Sequence, residues 1–184
     1  MQNLIPLILV TSFNLPGYIC GTLTTSVTLG FVLGLVSGRK FEALKSIGEK
    51  KAFILKKYAG AVLAAMGIAL CANQTVGNML GQYGIAAAIT LLTGVTAACV
   101  GYQFYQLPPK YSTTFGQDKP VYISFNDGLC FLMLSPFWST MTRIVASSPH
   151  GWSICWLIVA AFIAAGGSVM TKSLDIVVGA EKKG

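Results

Sequence analysis

His150 is the single histidine of this 184-residue chain, and it stands in the turn segment Ser147-Ser148-Pro149-His150-Gly151. One imidazole cannot assemble a multi-ligand protein metal site or a bis-histidine haem, so no metal is expected. It suffices as the axial ligand of one pigment such as a chlorophyll. Gln82 and Gln103, near the ends of apolar segments, are candidates for the same role. The plainer expectation is an exposed loop histidine, and amides that cap helices or hydrogen-bond across them. Five cysteines, Cys20, Cys71, Cys99, Cys130 and Cys155, fall one per apolar block, with no C-x-x-C. Dispersed in this way they read as small core hydrophobes. A disulfide among Cys20, Cys71 and Cys155, which share one half of the spans, is the weaker alternative.

Nucleophilic and phosphate chemistry finds no footing. The sequence has no G-x-S-x-G, no Walker loop, no H-E-x-x-H and no carboxylate pair inside an apolar block, so an enzyme is not expected. Arg143 is the one basic side chain within an apolar block, and Asp127 opens the same block. Sixteen residues separate them, about 24 Å along a helix, so they cannot pair. An intramembrane charge is a functional hypothesis by default. For Arg143, about one turn from the segment end, the readings are snorkelling to lipid headgroups, pairing with a partner subunit, or a transport role beside Pro136.

These residues must be positioned by elements of a particular kind. The chain is 54% hydrophobic and only 10% charged, with a mean hydropathy of +0.66. A soluble domain carries roughly a quarter charged residues, so this chain cannot cover itself in water. Its apolar runs are long rather than alternating, which points to helices and not to barrel strands. The expectation is an all-α, multi-pass integral membrane protein, one membrane domain over residues 1–184. Five spans are read, at about 17–37, 58–74, 80–105, 127–147 and 152–171, with four or six as alternatives. Residues 3–13 are too short to cross and read as an interfacial or re-entrant piece. Pro108-Pro109 is expected to stop span three, leaving 107–125 as the longest polar loop. The N-terminus does not resemble a secretory signal peptide.

Charge sets the orientation. Arg39, Lys40, Lys45, Lys50, Lys51, Lys56 and Lys57 are seven of the thirteen basic residues, opposed locally only by Glu42 and Glu49. No charged side chain precedes Arg39. Five spans place this stretch, the 107–125 loop and the C-terminal tail on one side, and with them every basic residue except Arg143. The positive-inside rule assigns that side to cytoplasm, matrix or stroma. If helical, 37–58 carries Phe41, Leu44, Ile47, Ile54, Leu55 and Tyr58 on one face. It is therefore expected as a basic amphipathic surface helix between spans one and two, with anionic lipid as its natural partner. Clustered beside membrane segments in this way, the basic residues argue against nucleic acid.

Small residues form the clearest pattern. Thr22, Ser26, Gly30, Gly34 and Gly38 recur every fourth residue of span one, and small residues let helix backbones approach closely in lipid. Similar stripes occur at Gly77, Gly81, Gly84 and Ala88, at Gly94, Ala98 and Gly101, and at Ala160, Ala164 and Ser168. Tight packing, short loops and missing chemistry point to a non-catalytic accessory subunit of a larger membrane complex. An organellar energy-transducing complex, photosynthetic or respiratory, in an inner or thylakoid membrane, is the expected parent. The alternative is a small channel or carrier using span four through Pro136 and Arg143. The sequence requires no cofactor. Lipids are expected, and chlorophyll or carotenoid is compatible with it.

Overall fold

The structure, a computed structural model, describes residues 14–115 and 148–181 and most of 137–147, excepting the side chains of 19, 20, 23, 24, 42, 74, 100–115 and 173–181. Four helices are bounded: α1 (Tyr18–Glu42), α2 (Ile47–Cys71), α3 (Gln74–Phe115) and α4 (Gly151–Glu181). Helical backbone also recurs within 137–147, and no strand occurs among the described residues. Ile47–Cys71, Thr75–Cys99 and Gly151–Lys172 are each long and apolar enough to cross a membrane. The interfacial piece at 3–13, Pro136, Cys130 and Asp127 lie outside the described residues.

The basic stretch departs from expectation. Residues 38–42 complete α1, a short turn follows, and 47–57 form the first three turns of α2, which runs unbroken to Cys71. No separate surface helix lies between α1 and α2. The reason is local: Ser46 starts α2 with a capping box. Its hydroxyl accepts from the Glu49 N–H at 3.1 Å, and the Glu49 carboxylate accepts from the Ser46 N–H at 3.2 Å. Between Ile47 and Cys71 the sequence has no proline to end the helix. Ser46→Ala is expected to cost about 1 kcal/mol, localised to the first turn of α2. Hydrogen exchange should speed at residues 47–50 and stay unchanged around Ile68.

Two further boundaries differ. α3 continues through Pro108-Pro109 to Phe115, so 107–115 is helix and not loop. Proline fixes φ near a helical value and deletes a hydrogen bond, without excluding the α conformation. α4 likewise carries the tail on to Glu181. Within α3 the break comes at Gly81 instead, whose φ of +68° is left-handed and suits a residue without Cβ. Asn73 starts the short piece before it, its side-chain oxygen accepting from the Thr75 N–H at 2.9 Å.

Close approaches set the helix directions. A Cβ on Gly60 would lie 3.5 Å from the Cys99 sulfur, and one on Gly67 would lie 3.0 Å from Leu92 Cδ1, so α2 and α3 are antiparallel. Gly166 and Gly167 of α4 lie against Tyr58 near the start of α2. Trp156, Val159 and Ala160 join Ala65, Ile68 and Ala69 further along α2. α4 therefore also runs opposite to α2. Ser26 meets Thr90 and Gly30 meets Gly94, which makes α1 and α3 parallel. The 137–147 segment folds back along α4: Phe137 packs edge-on against Phe162 at 5.6 Å, and Gly151 lies against Ile144 and Val145.

The core sits mainly on α2, α3 and α4, with Ile68 and Ile89 fully buried and Leu15 packed against it from before α1. The Ser153 hydroxyl is buried without a partner among the described residues, whereas the buried threonines bond inside their own helix, Thr93 to the Ile89 carbonyl at 2.6 Å and Thr96 to the Leu92 carbonyl at 2.9 Å. In a lipid setting an unsatisfied hydroxyl is costly, and this back-bonding removes that cost.

Candidate functional site

Two arrangements stand out, a tight seam between α1 and α3 and a basic end where α1 turns into α2. Ser26 and Gly30 of the small-residue ladder build the seam. Thr22 is exposed, Ser26 half-buried, and Gly30, Gly34 and Gly38 buried. A Cβ on Gly30 would run into the Gly94 carbonyl oxygen, with the Gly94 carbonyl carbon at 2.9 Å and Ala97 Cβ at 3.1 Å. One turn earlier, the Ser26 hydroxyl donates to the Thr90 carbonyl at 2.6 Å. A Cβ on Gly94 would sit 2.5 Å from that hydroxyl, so glycine at 94 keeps the bond open. Ser37 donates to the Gly34 carbonyl at 2.6 Å, within α1. Grooves flank the seam: one of about 670 Å³ lined by Leu29, Leu33, Leu91 and Val95, another of about 430 Å³ lined by Tyr83, Ala86 and Ala87, with Tyr18 in both.

At the basic end a small second cluster closes the hairpin. Phe41 and Ile54 are buried, with Leu44, Phe53, Tyr58 and Met170 packed around them. The Phe41 and Phe53 rings are 5.7 Å apart and tilted by 60°. Lys50 Nζ stands over the Phe41 ring at 5.8 Å, and Lys57 Nζ over the Phe53 ring at 5.5 Å. Arg39, Lys40, Lys45 and Lys56 are exposed, and Lys50, Lys51 and Lys57 partly covered. Met170 brings the end of α4 here, and Lys172, two residues on, is exposed at the same end of the bundle. The five-span charge pattern expects Lys172 on this side, and the packing of Met170 brings it to this particular cluster.

The remaining candidates are not assembled into a site. His150 is exposed in its turn, its N–H donating to the Ser148 hydroxyl at 3.2 Å, and Gln82 is exposed beside Gly81. The Gln103 side chain lies outside the described residues. Arg143 is exposed, in the helical segment that leads to the His150 turn, at the end of the bundle remote from the basic hairpin. Cys71, Cys99 and Cys155 are free thiols. Cys155 is buried, its sulfur 3.6 Å from the Met141 carbonyl. Among the described residues no three His, Cys, Asp or Glu side chains group as metal ligands. Comparison with protein-family models, curated proteins and solved structures finds no match to this chain.

Proposed function

We propose that the chain is a non-catalytic accessory subunit that packs its helices within a larger membrane complex, with an organellar photosynthetic or respiratory assembly as its parent. The observation that carries this reading is the filled interior among the described residues. Ile54, Ile68 and Ile89 occupy it, Thr93 and Thr96 spend their hydroxyls on helix carbonyls, and both grooves open outward. A carrier needs binding groups facing a hydrated route near mid-membrane. The outward surface is instead apolar over several helices, as at Leu33, Leu63, Leu91 and Phe162, and suits lipid or another subunit.

The proposed topology has five crossings, with the basic hairpin and the end of α4 facing cytoplasm, matrix or stroma. α3 and α4 point the same way, and this topology assigns a return crossing between them. The helical residues within 137–147, antiparallel to α4, belong to that return. α1, parallel to α3 and as long as α2, supplies the first crossing.

In native membranes the chain is expected in a complex much larger than 19.5 kDa, resolved on a blue-native gel. The purified chain in vesicles is expected to pass neither ions nor small solutes. Arg143→Ala should weaken the complex and leave helicity intact. Flux through the purified chain that Arg143→Ala abolishes would replace this reading with a carrier.

A further inference from the structure

We propose that Lys50 and Lys57 are fixed contact points for the phosphate groups of net-anionic phospholipids in the leaflet against which the basic hairpin lies. The inference rests on the membrane placement proposed above, but not on the existence of a parent complex. Seven residues separate the two lysines, about two helical turns, so both project from one face of α2 with roughly 10 Å between them. Ile54 sits between them on that face, buried against Phe41. Each ammonium is held over a ring, Lys50 over Phe41 from α1 and Lys57 over Phe53 from its own helix. Lys57 is the last charged side chain of α2, and the uncharged run that begins at Tyr58 carries the helix on to Cys71. The pair therefore lies at the end of α2 where polar sequence gives way to apolar helix.

Three features select an anionic lipid. The first is charge complementarity: α1, α2 and α4 all deliver cations to this end, Arg39 and Lys40 in the last turn of α1, Lys45 in the turn, the α2 lysines, and Lys172 from α4. Glu49 accepts from the Ser46 N–H in the capping box, so its carboxylate is engaged at the helix start. The second is preorganisation. A lysine whose ammonium is held over an aromatic ring has less rotamer freedom to lose on binding than one on an open turn. The third is depth, since an ammonium near the end of a crossing helix meets headgroup phosphates before it meets soluble partners.

The full chain, reconstituted in bilayers of equal phosphatidylcholine and phosphatidylglycerol and gently extracted, can be weighed with its retained lipids by native mass spectrometry. Phosphatidylglycerol is expected to be retained over phosphatidylcholine. Lys50→Gln and Lys57→Gln should each lower that preference about fivefold, the factor that corresponds to ~1 kcal/mol per cation at a membrane surface. Lys45→Gln, on the exposed turn, should lower it less than twofold. Lys50→Arg and Lys57→Arg should keep it, which separates charge from folding, and added inorganic phosphate should not displace the lipid. Equal retention of both lipids by the wild-type chain overturns the proposal. So does a Lys45→Gln effect as large as that of Lys57→Gln, because the charge would then act diffusely. Displacement by free phosphate also overturns it, in favour of a soluble anion. None of these outcomes depends on the blue-native or flux measurements, so the two readings fail separately.

Discussion

Gly30→Leu should drive α1 away from α3 and lose the native bundle. A side chain at 30 has nowhere to go, since its first carbon already overlaps the Gly94 carbonyl and meets Ala97 Cβ at 3.1 Å. The obstacle is backbone and the base of a side chain, not a flexible tip that a rotamer change would clear. The helices must therefore separate along the seam, and the Ser26–Thr90 hydrogen bond is lost with them. Overpacking of this kind costs roughly 1–3 kcal/mol and occasionally more, and Gly30→Leu belongs at the upper end. The hydrogen bond alone is a smaller matter, about 0.6 kcal/mol for an interhelical bond in lipid, so Ser26→Ala should be mild. Val32 is 48% exposed on the same helix, and Val32→Leu should be neutral. Unfolding in a sodium dodecyl sulfate titration, followed by circular dichroism, measures all three. Equal midpoints for Gly30→Leu and Val32→Leu would show that the seam does not hold the fold.

Ile68→Ala should be the most damaging truncation, although less so than in a water-soluble core. Ile68 is 0% exposed and packs with Ile89 and Trp156 at the junction of α2, α3 and α4. In water such a change costs about 2–5 kcal/mol, part transfer and part cavity. In lipid the transfer part largely disappears, because acyl chains are as apolar as the core, and lost packing remains. About 1–3 kcal/mol is therefore expected. Leu70, two residues on but 62% exposed, should tolerate alanine. Ile89→Ala should resemble Ile68→Ala, and the double variant should fall short of the sum because the two share one cavity. The same detergent titration reads this series, and a Leu70→Ala effect equal to that of Ile68→Ala would refute the assignment of the core.

The all-helical class was legible because long apolar runs admit little else in lipid. Boundaries were less legible where two local rules competed. Pro108-Pro109 reads as a stop, yet α3 passes through it, whereas the true break falls at Gly81, one glycine among twenty. The basic stretch reads as a surface helix because its charge is conspicuous. The capping box at Ser46 and Glu49, also present in the sequence, instead begins one continuous helix that carries this charge into a segment long and apolar enough to cross a membrane. The five-span charge pattern puts Lys172 on the same side as Lys50 and Lys57, but only the packing of Met170 on Phe41 and Ile54 brings it to their cluster.

By itself the sequence determined that the chain forms apolar helices and that its charge collects at particular helix ends. Both follow from local physics: in lipid each backbone group must bond within its own segment, and each lysine must stay near a polar surface. Which helices meet was decided only in three dimensions. The stripes around Gly30 and Gly94 are 64 residues apart, and nothing local says that they face each other rather than the stripe at Ala160. Helix pairing in lipid depends on the fit of whole surfaces, since apolar burial favours no partner over lipid. Gly30 against the Gly94 carbonyl, and Tyr58 against Gly166 and Gly167, are fits of that kind.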